Sequence, residues 1–258
     1  MVILNNKLVT EYKNQSIWRE WDSYIDELNI LPNQKILDIG CGTGDVTKLL
    51  AEKAFNVIAI DFNKELLEFA KKENSSPNID YIQNDIRNID ELSLSKVDGI
   101  WSSFTPAYFV DFKSILQKWL NLLKPNGWIA LIEIDDLFGH KPIDEFIEKL
   151  FKTFYKNQKD SKIYDFEMGR KLKQFLIDEN IEIEFEKNKF DKELVFSGIA
   201  DIEIVNAWAQ RFERMKSLQI FFGNEFHNVK KQFLNTLSLS THYSESKIFY
   251  IKGRKLYL

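Results

Sequence analysis

The chain has 258 residues, 44% apolar and 29% charged, enough to bury a substantial core in one globular domain. Its one cysteine, Cys41, excludes an internal disulfide framework and fits a reducing compartment; no apolar run approaches the roughly 18 residues of a membrane span, and Met1 to Lys7 lack the layout of a signal peptide. The net charge of −4 divides into 14 basic and 21 acidic residues over 1–140 and 21 basic and 18 acidic over the remainder, so neither half offers the concentrated basic face that a polyanion needs. The expectation is a cytoplasmic monomer or homodimer that engages neither nucleic acid nor membrane.

In chain order, residues 15–24 read as a helix, with Trp18, Trp21 and Tyr24 at helical spacing. Apolar runs at 35–39, 56–60, 79–83, 97–102 and 128–134 then alternate with amphipathic segments at 45–53, 64–74 and 112–123. Several of the runs are almost continuously apolar, as strands covered on both faces are. Helices between such strands are the crossovers of a parallel, doubly wound sheet. Pro125-Asn126-Gly127 marks a turn just before the fifth strand. After residue 140 come helices at 143–157 and 168–179, an alternating strand at 181–190, a long aromatic-rich helical stretch over 197–237 and a last strand at 247–252. The fold expected is α/β: a mostly parallel, seven-stranded, Rossmann-like sheet in a single domain over 1–258. Its core would be 31–190 and 241–258, with an N-terminal helical segment over 1–30 and a helical cap over 191–240 inserted before the last strand.

The most informative stretch is Lys35-Ile-Leu-Asp-Ile-Gly-Cys-Gly-Thr-Gly-Asp45, a buried strand, a glycine-rich turn and the start of a helix. Glycines reach positive φ and let the backbone approach a ligand, and the helix start offers unpaired N–H groups. A dinucleotide site places its third glycine where this chain has Asp45. Carboxylates at Asp38 and Asp45 repel a pyrophosphate and suit a ligand with a cationic amino group.

An acidic residue followed after one position by G-x-G-x-G, here Asp38, Gly40, Gly42 and Gly44, resembles the first motif of class I S-adenosylmethionine-dependent methyltransferases, and the likeness extends over 31–135. It implies that Gly40, Cys41, Gly42, Thr43 and Gly44 hold the methionyl part of S-adenosylmethionine, with Asp38 near its amino group, and that S-adenosylhomocysteine leaves as product. Asp61 ends the second strand where a nucleotide-binding α/β fold puts its ribose-hydroxyl acceptor, and Phe62 beside it suits the adenine. By the same resemblance Asp85 accepts from the adenine amino group and the N–H of Ile86 donates to a ring nitrogen, while Cys41 is a small loop residue and no nucleophile. Leu123-Lys-Pro-Asn-Gly-Trp128 is a turn common in the family. An N-terminal helix closes the site in many members, which assigns Trp18 and Arg19 to the cofactor and Tyr12 to the acceptor pocket.

The reacting centre of such a fold lies outside the carboxyl ends of strands four and five, here Trp101-Ser-Ser-Phe-Thr-Pro-Ala-Tyr108 and Ile132-Glu-Ile-Asp-Asp-Leu-Phe-Gly-His140. Ser102 is expected on the cofactor, and Phe104, Tyr108, Trp208 and Phe212 in an apolar acceptor pocket. Asp135, Asp136 and His140, three ionisable residues just past a buried strand, form the candidate catalytic cluster. His140 would be the base, because imidazole titrates at about pH 6.5, with either aspartate orienting it, binding an amine or acting as base. No metal-ligand set accompanies them, and His227 and His242 stand alone. The function expected is methyl transfer to a nitrogen or oxygen nucleophile of a small molecule, the acidic cluster favouring an amine. An RNA or protein methyltransferase and a non-catalytic cofactor-binding module are the alternatives; Asp45 opposes a nicotinamide dehydrogenase.

Overall fold

The computed structural model describes residues 7–256; the leader reading of Met1 to Asn6 lies outside the described residues. Seven strands form one sheet: β1 (Lys35–Ile39), β2 (Asn56–Asp61), β3 (Ile79–Gln83), β4 (Val97–Ser103), β5 (Leu123–Asp135), β7 (Ile181–Lys189) and β9 (Lys247–Lys255), in the order β3-β2-β1-β4-β5-β9-β7. β9 runs antiparallel to β5 and β7, and the pairs among β1 to β5 are parallel. Side chains alternate between two apolar layers. Ala130, Ile132 and Ile134 enter one, Ile129 and Leu131 the other, so both faces are covered and Trp128 to Ile132 read as a continuous apolar run.

Helices α3 (Asp45–Lys53), α4 (Lys64–Glu73) and α5 (Phe112–Leu122) connect the first five strands, and α7 (Leu172–Asp178) precedes β7. Their apolar stripes match the periodicity that located them; in α5, Phe112, Ile115, Leu116, Trp119 and Leu120 are buried. The Pro125-Asn126-Gly127 signal lies inside β5 rather than ahead of it. The register with β4 jumps from Val97↔Leu123 to Gly99↔Trp128, and Asn126 sits at φ 61°, so the segment is a bulge in a continuing strand.

The helix expected over 15–24 is two: α1 (Lys7–Trp18) and α2 (Trp21–Asp26), broken at Arg19-Glu20. The break turns Trp21, Tyr24 and Ile25 into the core while Arg19 reaches Asp191, Nε to Oδ2 2.8 Å. The stretch after β7 is likewise divided, into α8 (Ile202–Arg214), α9 (Lys216–Phe222) and α10 (Phe226–Leu237), with breaks at Met215 and Gly223. These helices pack on α6 (Glu145–Asp160) and on a two-stranded ribbon of β6 (His140–Lys141) and β8 (Tyr243–Ser244) that periodicity did not reveal.

Phe138 sits at the centre of this cap. Its ring stacks on Phe151 at 4.4 Å and meets Phe212 at 5.5 Å, Phe233 at 5.6 Å and Trp208 at 5.9 Å. Phe138→Ala is expected to cost about 3–5 kcal/mol, read by chemical denaturation as a lower midpoint at unchanged slope.

Candidate cofactor and acceptor site

The turn leaving β1 is bent by Gly40, Gly42 and Gly44, at φ 78°, 52° and 78°. Gly40 admits no side chain, since a Cβ there would lie 2.1 Å from Oγ1 of Thr105. The N–H groups of Gly40 and Cys41 both donate to the carbonyl of Ile60, at 2.8 and 3.1 Å. Asp61, at the tip of β2, completes the clasp: Oδ2 accepts from the Gly42 N–H at 2.9 Å and Oδ1 from the Asn63 N–H at 2.8 Å. Burial raises the Asp61 carboxyl above its ordinary value, although the backbone donors work against that rise.

Above the turn lies a cavity of about 650 Å³ at the carboxyl ends of β1, β2, β4 and β5. Of the residues expected on the cofactor, Arg19, Gly40, Cys41, Gly42, Thr43, Asp61, Phe62, Asp85 and Ile86 line it. Asp85 caps the turn that follows β3, accepting from the N–H of Arg87 at 3.0 Å and from its guanidinium, which holds the carboxyl below the usual carboxylate range. Cys41 is buried, and that burial, with Asp38 and Asp61 near, pushes its thiol well up, the opposite of an activated nucleophile.

Four residues expected on the cofactor do not line the cavity. Asp38 lies beneath the turn, 2% exposed, accepting from Oγ1 of Thr47 at 2.6 Å, and burial lifts its carboxyl to about 7. Gly44 backs onto the Tyr81 hydroxyl and forms the left-handed start of α3. Ser102 donates to the carbonyl of Ile39 at 2.9 Å from inside the sheet; strand alternation presents Ser103 to the cavity instead. Trp18 faces a second, smaller hollow between α1 and α8.

On the acceptor side Tyr12, Phe104 and Tyr108 line the cavity, whereas Trp208 and Phe212 are fully buried in the cap. Trp208 donates from Nε1 to the carbonyl of Glu193 at 2.9 Å. Both are helix-face aromatics spent on packing.

The proposed catalytic cluster is dispersed, and none of its three residues reaches the cavity. Asp135 pairs with Arg170, Nε 2.8 Å from each carboxylate oxygen. Asp136 accepts from the Tyr155 hydroxyl at 2.9 Å, and burial raises its carboxyl. His140 is wholly buried against His242, Nδ1 to Nε2 2.9 Å, among Phe196, Trp208 and Phe233. The carbonyl of Gly198, 2.9 Å from Nδ1 of His242, can only accept, so that nitrogen carries a proton and Nε2 of His242 accepts from Nδ1 of His140. Nε2 of His140, the basic nitrogen left, is buried without a partner. Burial holds His140 down at about 3.

Sequence reasoning assigned no role to Tyr164 and Lys162, in the loop after α6, or to Arg211 and Arg214 of α8. Arg211 and Arg214 fall on the helical spacing that marked α8 for the cap; nothing in the sequence around Tyr164 and Lys162 singles them out. Among the described residues no group of three or more His, Cys, Asp or Glu side chains could hold a metal ion.

A methyltransferase-domain family model matches residues 30–198. The chain belongs to the class I S-adenosylmethionine-dependent methyltransferases. It is 32% identical over 202 residues to the ubiquinone/menaquinone biosynthesis C-methyltransferase of Wigglesworthia glossinidia brevipalpis, covering 74% of this chain and 75% of that one. In fold, this methyltransferase is similar to a candidate methyltransferase of Bacillus halodurans C-125, with a TM-score of 0.61 at 16% identity over 92% of this chain and 99% of that one. It is also similar to phosphoethanolamine N-methyltransferase 2 of Haemonchus contortus, in complex with phosphomonomethylethanolamine and S-adenosylhomocysteine. That match has a TM-score of 0.56 at 15% identity over 95% of this chain and 53% of that one. The methyl donor of this methyltransferase is S-adenosyl-L-methionine, and the glycine cradle with Asp61 at its rim has the form and charge to receive it.

Below pH 6.5 an unfolded chain takes up a proton that buried His140 refuses until about pH 3, so the His140 contribution to stability falls by about 1.4 kcal/mol for each unit the pH falls, and burial lowers His242 in the same sense. Denaturation at pH 6.5 and pH 5 is expected to show that loss as a fall in the stability of the native chain relative to the double variant His140→Leu, His242→Leu, because the raised carboxyls of Asp38, Asp61 and Asp136 act in the opposite sense equally in both chains.

Proposed function

We propose that this methyltransferase acts on a nitrogen or oxygen nucleophile of a small molecule, as a cytoplasmic monomer or homodimer. The observation that carries this reading is the cavity itself. A volume of about 650 Å³, walled by α1, α8 and the loop after α6, is of the size that takes small ligands.

In this reading the backbone of Gly40 to Gly44 receives the methionyl part, the Asp61 carboxylate accepts from the ribose hydroxyls, and Asp85 with the Ile86 N–H takes the adenine edge, Arg87 yielding part of the Asp85 carboxylate. Bound S-adenosylmethionine supplies an electrophilic methyl carbon on a sulfonium. The protein's contribution is to exclude water and to hold the nucleophile in line, which can supply most of the rate. Tyr12, Phe104 and Tyr108 line the wall where that nucleophile would lie, and Tyr12 stands near enough to Asp61 to feel its charge. The preference for an amine falls with the cluster that motivated it, because Asp135 and Asp136 are spent on Arg170 and Tyr155.

A carbon acceptor is the second reading, favoured by the 32% identity to a C-methyltransferase and by the apolar wall of Ile134, Leu137 and Phe109. Carbon NMR of product made from methyl-labelled cofactor and a small-molecule extract separates the two, since methyl carbons on nitrogen or oxygen resonate well downfield of those on carbon. The cofactor side is tested by calorimetry. S-adenosylhomocysteine is expected to bind and NAD not, and Asp61→Asn to weaken S-adenosylhomocysteine by about tenfold to a hundredfold, the size of a lost charged hydrogen bond.

A further inference from the structure

The carboxylates and the cations of the cavity are largely separated, Arg87, paired with Asp85, being the cation on the carboxylate side. Those carboxylates that line it, Asp45, Asp61 and Asp85, stand on the β1–β2–β3 side. On the β4–β5 side the lining cations are Arg19, Lys162, Arg211 and Arg214. The carboxylates near that side are already engaged. Asp191 and Glu193 take Arg19 and Arg211, Glu11 takes Arg214, and Glu133 accepts from the backbone N–H groups of Ala107 and Ile134 at 3.1 and 3.0 Å.

Several donors are left over on that side, against one buried acceptor there without a hydrogen bond, Oε2 of Glu193, which has the Arg19 guanidinium 3.6 Å away. The ammonium of Lys162 and the hydroxyls of Tyr12, Tyr108 and Tyr164 have no hydrogen-bond partner among the described residues, and Nε of Arg211 is buried without an acceptor. Tyr108 and Tyr164 meet edge to face with ring centroids 4.9 Å apart, so the two hydroxyl-bearing rings form one wall. A tyrosine hydroxyl accepts as readily as it donates and alone would suit an amine equally well. Lys162 and Arg211 can only donate, and they decide the sign. Burial raises the Tyr12 and Tyr164 hydroxyls, which keeps them protonated.

We propose that the acceptor carries an oxyanion, a carboxylate or a phosphate monoester, held by Tyr108, Tyr164, Arg211 and Lys162 on the β4–β5 side of the cavity. This deepens the small-molecule reading above and rests on the cofactor filling the opposite side. The oxyanion is an anchor: it takes up the surplus donors, the ion-paired arginines supplying directed N–H groups and Lys162 the uncompensated charge. The nucleophile is then a different group of the same molecule, displaced from the anchor toward Asp61.

The test is a melting and calorimetric titration of the full chain at constant ionic strength, with and without saturating S-adenosylhomocysteine, using inorganic phosphate, acetate, ethylammonium and phenol as probes. Phosphate or acetate is expected to raise the melting point and the other two probes not; a response to phosphate alone names the phosphate monoester, to acetate alone the carboxylate. Tyr164→Phe and Lys162→Ala should each weaken the anion by about tenfold or more and leave S-adenosylhomocysteine affinity unchanged. Stabilisation by ethylammonium or phenol with neither anion active, or an anion response untouched by both substitutions, overturns the proposal while the cofactor reading stands. An intact anion response in a chain that does not bind S-adenosylhomocysteine supports the anchor and overturns the cofactor reading instead.

Discussion

Two carboxylate oxygens hold the site open. Asp61, at the end of β2, grips the Gly42 N–H on one side and the Asn63 N–H on the other, while the Ile60 carbonyl takes the N–H groups of Gly40 and Cys41. The tips of β1 and β2 are thereby tied at the place where the chain must bend through three left-handed residues to begin α3. The clasp also carries a cost. Asp38 and Asp61 are both buried, and the Asp61 charge adds to the burial that raises the Asp38 carboxyl. A ligand with a positive sulfonium and ammonium relieves that repulsion, whereas a pyrophosphate would deepen it.

The opposite wall is organised by a second set of charges. Arg19, from the break between α1 and α2, meets Asp191 at 2.8 Å, and Arg211 of α8 meets Glu193, two residues on. Asp191 also accepts from the N–H groups of Glu193 and Leu194 at 2.7 and 2.8 Å, which fixes the local turn. Buried ion pairs of this kind add little net stability, yet removing one partner leaves the other uncompensated, so they specify position. Here they register the N-terminal segment, the chain after β7 and the cap against one another, and the cavity is what lies between.

Much of the lining on the β1–β3 side of the cavity was legible in the sequence, because its signals are local. The glycine spacing, the strand-end Asp61 and the runs of β1 to β5 lie within about a hundred residues of continuous pattern, and the period of each run reports its own burial. Asp38 and Ser102 were misplaced by one structural step. Both stand next to the cavity in sequence, but the pleat of β1 and β4 turns them inward to Thr47 and Ile39. The acceptor half was largely illegible, since α1, the turn after β4, the loop after α6 and α8 bring Tyr12, Tyr108, Tyr164 and Arg211 together across long sequence separations. The same property misled the reading of His140. Three ionisable residues after a buried strand resemble a site, but the residue that decides the role of His140 is His242, 102 positions later.

The function proposed for the cavity depends on where one nucleoside lies. A crystal structure of the chain with S-adenosylhomocysteine should show the amino-acid portion over Gly40 to Gly44, both ribose hydroxyls on Asp61, and the sulfur facing Tyr12 and Tyr108. A nucleoside whose ribose avoids Asp61, or which occupies the hollow between α1 and α8, would contradict it.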